Sequence, residues 1–162
     1  MELKYSDIIL LPRYSNLQSR SEADTSFQLG NRTFKVPVVP ANMKAVVSEK
    51  KARWLSENEY FYIMHRFGVC PVKFCKDNSD LNFRSISIGV KQKDYDDIML
   101  LASSRCNVEY ITIDIAHGDC ILMKDMISYV KKWLPDSFVI AGNVATKDSV
   151  NNLVNWGADC VK

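Results

Sequence analysis

The chain has 162 residues, of which 47% are hydrophobic and 25% are charged, and its formal net charge is +2. This composition is typical of globular material, so we expect one domain over residues 1–162. The small net charge and the scattered Lys and Arg side chains disfavour a nucleic-acid partner. No apolar run reaches the ~18 residues that span a bilayer, and no basic signal segment opens the chain. We therefore expect no membrane partner and a cytoplasmic location.

The cysteines predict reduced thiols and no metal site. There are five cysteines, an odd number, and none of them forms a C-x-x-C pair. Only two histidines accompany them, so the spacing of a zinc site is absent. Cys160 lies in the opening of an apolar strand, which favours a core position over a nucleophile.

The first thirty-six residues predict an N-terminal arm followed by a short strand pair. The strands are expected around 27–29 and 33–36, and Gly30-Asn31 between them is a turn signal. From Pro37 onward, apolar runs alternate with amphipathic helical patterns. Strands are predicted at 37–40, 61–65, 85–90, 110–114 and 138–141, with a further strand beginning near Cys160. Helices are predicted at 48–56, 94–104, 120–134 and 147–156, and at most a short irregular helix within 67–84.

Several helix boundaries have specific signals. Ser48 is the expected N-cap of the first helix, with Glu49 in its first turn, and Thr146 is the expected cap of the last. Pro135 ends the helix over 120–134. The residues expected on the buried face of that helix are Leu122, Met126, Ile127, Val130 and Leu134.

Apolar strands separated by amphipathic helices predict an α/β fold with a parallel sheet covered by helices. Open and closed sheets give similar patterns, but no G-x-G-x-x-G follows the first strand, which disfavours a dinucleotide-binding Rossmann domain. We expect a TIM (β/α)8 barrel, incomplete over 37–162, with about five strand–helix units. A closed barrel needs eight units and typically about 250 residues.

Candidate site residues follow the predicted strands at their C-terminal ends, where barrels build their active sites. They are Asn42 and Met43, His65 and Arg66, Asp114 and His117, and Gly142 and Asn143. Four of these residues have a structural alternative: Asp114 as a helix cap, His65 as a core imidazole, Arg66 as a surface ion-pair partner and Met43 as core packing. Gly142-Asn143 is the most specific signal, because a glycine there lets a ligand approach the backbone closely.

A series of motifs, in order along almost the whole chain, resembles the IMP dehydrogenase/GMP reductase family. They are Asp7-Ile8-Ile9-Leu10-Leu11-Pro12, Ser19-Arg20, Asp24-Thr25, Pro40-Ala41-Asn42-Met43, Ile63-Met64-His65-Arg66-Phe67, Ser85-Ile86-Ser87-Ile88-Gly89-Val90, Ile113-Asp114-Ile115-Ala116-His117-Gly118, Ala141-Gly142-Asn143-Val144-Ala145-Thr146 and Gly157-Ala158-Asp159. The sequence is most similar to the short bacterial GMP reductase branch. Too few residues separate Arg66 from Ser85 for the regulatory domain of about 120 residues that IMP dehydrogenases usually carry.

The resemblance implies a barrel that converts GMP to IMP and ammonia with NADPH, by way of a cysteine thiolate that attacks the purine C2. It implies catalytic roles for Asp114 and Arg66. Cofactor contacts are implied for Asp114, Ala116, Gly142 and Asn143, and purine contacts for Ala41 and Met43. The resemblance also implies a homo-oligomer, expected to be a tetramer, with a K⁺ site in the complete protein.

In the family, Gly-Ala-Asp leads into a glycine-rich loop that carries the catalytic cysteine and the cation site. That loop falls beyond Lys162, so we expect the 162-residue chain alone not to reduce GMP. The segment from Cys70 to Asn82 also departs from the family's usual helix. Two other hypotheses remain: an IMP dehydrogenase without its regulatory domain, and an inactive remnant that acts as an interaction partner for a complete subunit.

Overall fold

A computed structural model describes residues 4–104 and 106–162 of the chain. In these residues the strands and helices are β1 (Phe27–Leu29), β2 (Arg32–Phe34), α1 (Glu49–Glu57), α2 (Pro71–Asp77), β3 (Ser85–Ile88), α3 (Gln92–Ser103), β4 (Tyr110–Asp114), α4 (Ile121–Trp133), β5 (Phe138–Gly142), α5 (Lys147–Asn155) and β6 (Cys160–Val161). Two short 3-10 turns, Tyr5–Asp7 and Arg20–Glu22, precede them.

The main sheet is parallel, and its strand order β3-β4-β5-β6 follows the chain. Each helix between two strands returns the chain to the same edge, as sequential right-handed β/α units require. The apolar runs that predicted β3, β4 and β5 lie in this sheet with almost no exposed surface. The predicted α/β class and the predicted order of these strands are therefore confirmed.

The two strands predicted before β3 differ from the prediction. The segment at 61–65 is extended and buried, but it joins the sheet through a single parallel bridge from Met64 to Ile86. The segment at 37–40 forms no strand, so that prediction was wrong. Pro37 and Pro40 have no N–H to donate to a ladder, and Val38 between them is 69% exposed.

The β1–β2 hairpin packs beneath the N-terminal end of the sheet. Phe34 of β2 lies 5.2 Å from the ring of Phe61, 5.2 Å from that of Phe83 and 6.1 Å from that of Tyr110. The Tyr110 hydroxyl also donates a 2.8 Å hydrogen bond to the carbonyl of Leu29. This aromatic cluster fills the lower part of the sheet's inner face.

The predicted helix caps are confirmed. The Ser48 side chain accepts a bond from the Lys51 N–H, and the Thr146 side chain accepts one from the Ser149 N–H. The buried face of α4 is Met123, Met126, Ile127 and Val130. Leu122 was predicted to be inward but is 51% exposed. It lies one position before a stripe that repeats at i, i+3, i+4 and i+7 and begins at Met123.

The strand register separates two faces of the sheet. Thr112 of β4 pairs with Ser87 on one side and Ile140 on the other. Residues paired across parallel strands point to the same face, and alternate residues along a strand share a face. Tyr110, Thr112 and Asp114 therefore share the inner face, while Ile111 and Ile113 face the helices. Asp114 is the last inner residue of β4, so it stands at the C-terminal edge of the sheet.

Candidate active site at the C-terminal edge of the sheet

The ends of β4 and β5 lie side by side, with Asp114 paired to Gly142. Three backbone hydrogen bonds continue the contact into the following loops. The Ile115 N–H donates to the Gly142 carbonyl (2.9 Å), the Asn143 N–H to the Ile115 carbonyl (2.8 Å) and the Gly118 N–H to the Asn143 carbonyl (2.7 Å). The two predicted site segments thus form one continuous edge.

Asp114 forms an ion pair with Lys162. The Lys162 Nζ donates to the Asp114 Oδ1 at 2.8 Å, and the two side chains are 33% and 16% exposed, respectively. Lys162 lies beyond β5, because its N–H donates to the Ala141 carbonyl and its own carbonyl accepts from the Val144 N–H. Gly142 separates the two partners. A Cβ built on Gly142 would lie 2.9 Å from the Lys162 Cβ.

The loop after β4 exposes the predicted cofactor residue Ala116 and the strand-end candidate His117. Ala116 and His117 are exposed, as is Asn143 in the loop after β5. The N-cap of α4 is Cys120, so the alternative that Asp114 caps this helix is excluded. Asp114 instead presents a partly buried carboxylate beside exposed backbone. A carboxylate and an amide in this arrangement can accept from and donate to the hydroxyls and amides of a nucleotide.

Arg66 lies farther along the same edge, towards α3. Its guanidinium carbon is 4.8 Å from the centre of the Phe67 ring, and its buried Nε has no hydrogen-bond partner among the described residues. Arg66 lines a cavity of about 160 Å³ with Ser87, Lys91 and Asp94. This cavity is next to β3, and the structure shows no contact that joins Arg66 to Asp114 within the described ranges.

His65 is buried, with 5% of its surface exposed. Burial lowers the pKa of His65, and the nearby positive charge of Lys44 lowers this pKa further. Its Nδ1 has no hydrogen-bond partner in residues 4–104 and 106–162. The core position that was one alternative for His65 is therefore observed, but with one ring nitrogen left without a protein partner.

The predicted purine-contacting residues occupy an exposed turn. The Met43 N–H donates to the Ala41 carbonyl at 2.7 Å, and Met43 is 55% exposed. Exposure at this level rules out core packing for the Met43 side chain. No hydrogen bond or ion pair between described residues joins Ala41 or Met43 to the Asp114–Gly142 edge.

Two polar residues at this edge were not singled out from the sequence. They are Lys162, which pairs with Asp114, and Asp119, whose carboxylate accepts bonds from Ser149 and Asn152 of α5. The alternation of side chains along β6 could have indicated Lys162. Cys160 pairs with Ile140 on the inner face, and residue 162, two positions later, lies on the same face. No local pattern marks Asp119, because its partners lie thirty or more positions away in sequence.

None of the helices within the described ranges is both long enough and apolar enough to cross a membrane. In the same ranges, His, Cys, Asp and Glu side chains form no group of three or more that could hold a metal ion.

Comparison with solved structures shows the fold. The structure matches inosine 5′-monophosphate dehydrogenase from Legionella pneumophila, a TIM barrel, with a TM-score of 0.85 and 22% sequence identity. The match covers 98% of this chain and 49% of that one. The predicted barrel architecture is therefore confirmed, with the chain covering part of it.

Comparison of sequences gives closer relatives. The chain is 54% identical over 159 residues to GMP reductase of Paracidovorax citrulli, and 52% identical over 161 residues to GMP reductase of Staphylococcus aureus. Each match covers 98% of this chain and 49% of the relative, so the chain spans about half the length of these curated relatives. The family model for the IMP dehydrogenase / GMP reductase domain matches residues 2–162. The chain belongs to the IMP dehydrogenase/GMP reductase family.

Proposed function

We propose that the protein that carries this chain is an NADPH-dependent GMP reductase of purine nucleotide metabolism. The observation that carries the proposal is the 50–54% identity, over nearly the whole chain, to proteins named GMP reductase. The position of Asp114 at the C-terminal edge of a parallel sheet supports it, because this edge is where barrel enzymes place their reacting groups.

In this proposal the edge at Asp114 and Gly142 receives the cofactor. Asp114 supplies a carboxylate, Ala116 and Gly142 supply backbone groups, and Asn143 supplies an amide side chain. The chemistry of this set suits a dinucleotide, which offers ribose hydroxyls and a nicotinamide to such donors and acceptors. Gly142 has no side chain, which leaves room for the Lys162 that pairs with Asp114. NADPH, when bound, supplies a hydride.

The remaining predicted residues take the purine side. Arg66 acts beside the departing ammonia, and the buried Nε without a protein partner is an observation that agrees with a ligand-facing guanidinium. Ala41 and Met43 line the purine pocket, and the exposed Met43 side chain offers an adaptable apolar contact for a base. Over the whole reaction, a C2–H bond replaces the C2–N bond of GMP. GMP, NADPH and two protons thus give IMP, NADP⁺ and ammonium.

The proposal extends to the assembly and setting of the protein. The catalytic cysteine and the K⁺ site belong to the glycine-rich loop that the family places after the Gly-Ala-Asp sequence. We propose one domain over residues 1–162, in which residues 1–36 form an arm and hairpin and residues 37–162 form part of the barrel. We further propose a cytoplasmic homotetramer.

The test is an assay of the complete protein, not of the 162-residue chain alone, for GMP-dependent oxidation of NADPH, with IMP and ammonia measured as products. AMP replaces GMP as the matched control, since it lacks the C2 amino group. GMP-dependent turnover that releases equal amounts of IMP and ammonia supports the proposal. NAD⁺-dependent oxidation of IMP would instead assign an IMP dehydrogenase. A protein without either activity that associates with a complete reductase subunit would be an interaction partner.

A further inference from the structure

Asp119 joins the loop after β4 to the first turns of α5. Its Oδ2 accepts a 2.8 Å bond from the Ser149 Oγ, and the Asn152 Nδ2 donates to both carboxylate oxygens at 3.0 and 3.3 Å. The Thr146 Oγ1 lies 2.7 Å from the Ser149 Oγ, and the Ser149 side chain is buried. One carboxylate therefore connects the loop to the first and second turns of the helix, and Ser149 extends the contact to the Thr146 cap.

The same loop is also fixed to the loop after β5. The Gly118 N–H, one residue before Asp119, bonds to the Asn143 carbonyl, and Asn143 in turn bonds to Ile115. A Cβ built on Gly118 would lie 3.0 Å from the Asn143 carbonyl oxygen and 3.2 Å from the Val144 Cγ1. The two loops are therefore packed at backbone contact, with Asp119 as the side-chain link at the outer end.

The link suits an ionised carboxylate. The hydrogen bonds from Asn152 and then Ser149 lower the pKa of Asp119. The N-terminal turns of a helix also favour a negative charge, because their N–H groups point outward. Charge-assisted bonds of this type are stronger than neutral ones, so losing them should release the loop measurably.

We propose that Asp119 is a positioning residue, which sets the place of Ala116 and His117 at the cofactor edge by fixing the two loops to α5. The part that concerns the cofactor rests on the proposed function. The part that concerns the loops rests only on the contacts described above. The two parts are tested by different measurements.

The first measurement is amide hydrogen exchange in the purified protein. In Asp119→Ala, the amides of Ile115, Gly118 and Asn143 should exchange about tenfold faster than in the parent, because local opening exposes their bonds. The amides of Ile111 and Ile113 in β4 should keep their rates. Asp125→Ala, which removes an exposed carboxylate from α4, is the matched control and should change none of these rates. Unchanged exchange at Gly118 and Asn143 in Asp119→Ala would overturn the proposal.

The second measurement swaps the side chains of Asp119 and Asn152. Asp119→Asn and Asn152→Asp each disturb the amide–carboxylate pair, whereas the double variant restores it with donor and acceptor reversed. The double variant should return the exchange rates to within about twofold of the parent, while each single variant stays fast. A double variant as fast as the singles would show that the amides respond to general destabilisation, and would also overturn the proposal.

The third measurement concerns the cofactor. Asp119→Ala should weaken NADPH binding, or raise KM for NADPH, about five- to tenfold with little change in kcat, since Asp119 acts through the loop. The reversed double variant should recover this loss. If the parent protein does not bind NADPH, the proposed function is wrong. The hydrogen-exchange result then still decides whether Asp119 fixes the two loops to α5. NADPH binding unchanged in a variant with fast exchange would overturn the cofactor part alone.

Discussion

Asp114 and Lys162 form an ion pair across Gly142, the residue that separates them in the sheet. Their side chains meet 2.8 Å apart above a residue that has none, and a Cβ at this point would crowd Lys162. The glycine therefore has a packing reason as well as the functional one that its position suggests. Because Gly142 has no side chain, Lys162, which follows β6 two strands away from β4, reaches the Asp114 carboxylate on the inner face of the sheet.

We expect Gly142→Ala to lower the free energy of unfolding by about 1–3 kcal/mol, because the added methyl overpacks the contact with Lys162. Urea unfolding followed by circular dichroism measures it. Asn143→Ala is the matched control, since it changes an exposed side chain in the next position. Equal stability of Gly142→Ala and Asn143→Ala would contradict the packing role of the glycine.

The hairpin is clamped to the sheet by Arg32. Its Nε and Nη2 donate to the two carboxylate oxygens of Glu109, and Nη2 also donates to the Asn82 carbonyl. Arg32→Lys keeps the charge but loses this forked geometry, so we expect a loss of about 1 kcal/mol in the free energy of unfolding.

Lys73→Ala is the control for the Arg32 prediction. It breaks an exposed i,i+4 pair with Asp77, and pairs of this kind contribute at most about 0.5 kcal/mol. If Arg32→Lys and Lys73→Ala have the same small effect in urea unfolding, the hairpin clamp contributes no more than an ordinary surface pair.

The sequence predicted well the elements whose signals are local. The N-caps Ser48 and Thr146 bond to residues only three positions later in the sequence, and both caps are observed. The apolar run of β4 ends at Asp114, as expected. The segment at 37–40 misled, because its apolar residues suggested a strand while its two prolines removed the donors that a strand needs.

The site was harder to predict because its contacts are long-range. Lys162 meets a residue 48 positions earlier, and Asp119 meets one 33 positions later. Neither pairing leaves a periodic trace in the sequence. The polar residues at the strand ends predicted that Asp114 and Gly142 lie together, but they could not show that Arg66 lines a cavity beside β3.

The five cysteines are all free in the structure, but they differ in burial. Burial raises the pKa of the Cys75 thiol to about 12, whereas Cys70 is exposed. Since only the thiolate is nucleophilic, we expect Cys70 to react with a maleimide at least tenfold faster than Cys75 at about pH 8.

Mass spectrometry of the labelled peptides measures the two thiol rates. Full labelling of Cys75 should require denaturant, and Cys70→Ser should remove the fast phase. Labelling of Cys75 as fast as that of Cys70 in the folded protein would show that Cys75 is accessible.

His65 should make the stability depend on pH. Its folded-state pKa is below the ordinary value of 6.5, so the unfolded chain binds the proton more readily. The stabilisation is therefore fully present above about pH 6.5 and is lost as pH falls towards the folded-state pKa. We expect the free energy of unfolding to drop between about pH 7.5 and pH 5.5, with a smaller drop in His65→Gln.

Urea unfolding at about pH 7.5 and pH 5.5 gives the change in the free energy of unfolding with pH that tests the His65 prediction. His117→Gln is the control, because it removes an imidazole from an exposed position. An identical slope in the parent and in His65→Gln would contradict the assignment of the buried histidine.

Asp114 should matter far more for turnover than for folding. It ends β4 at the edge of the sheet, and its ion pair with Lys162 is partly exposed, so Asp114→Ala should lower the free energy of unfolding by no more than about 1 kcal/mol. In GMP-dependent NADPH oxidation by the complete protein, we expect kcat to fall at least a hundredfold, the usual scale for a group that acts on the reacting atoms. Lys162→Met should keep more activity than Asp114→Ala, because it leaves the carboxylate in place and removes only its partner. Equal losses of activity and stability in Asp114→Ala would instead make Asp114 a structural residue. Its ion pair with Lys162 would then serve only to stabilise the sheet.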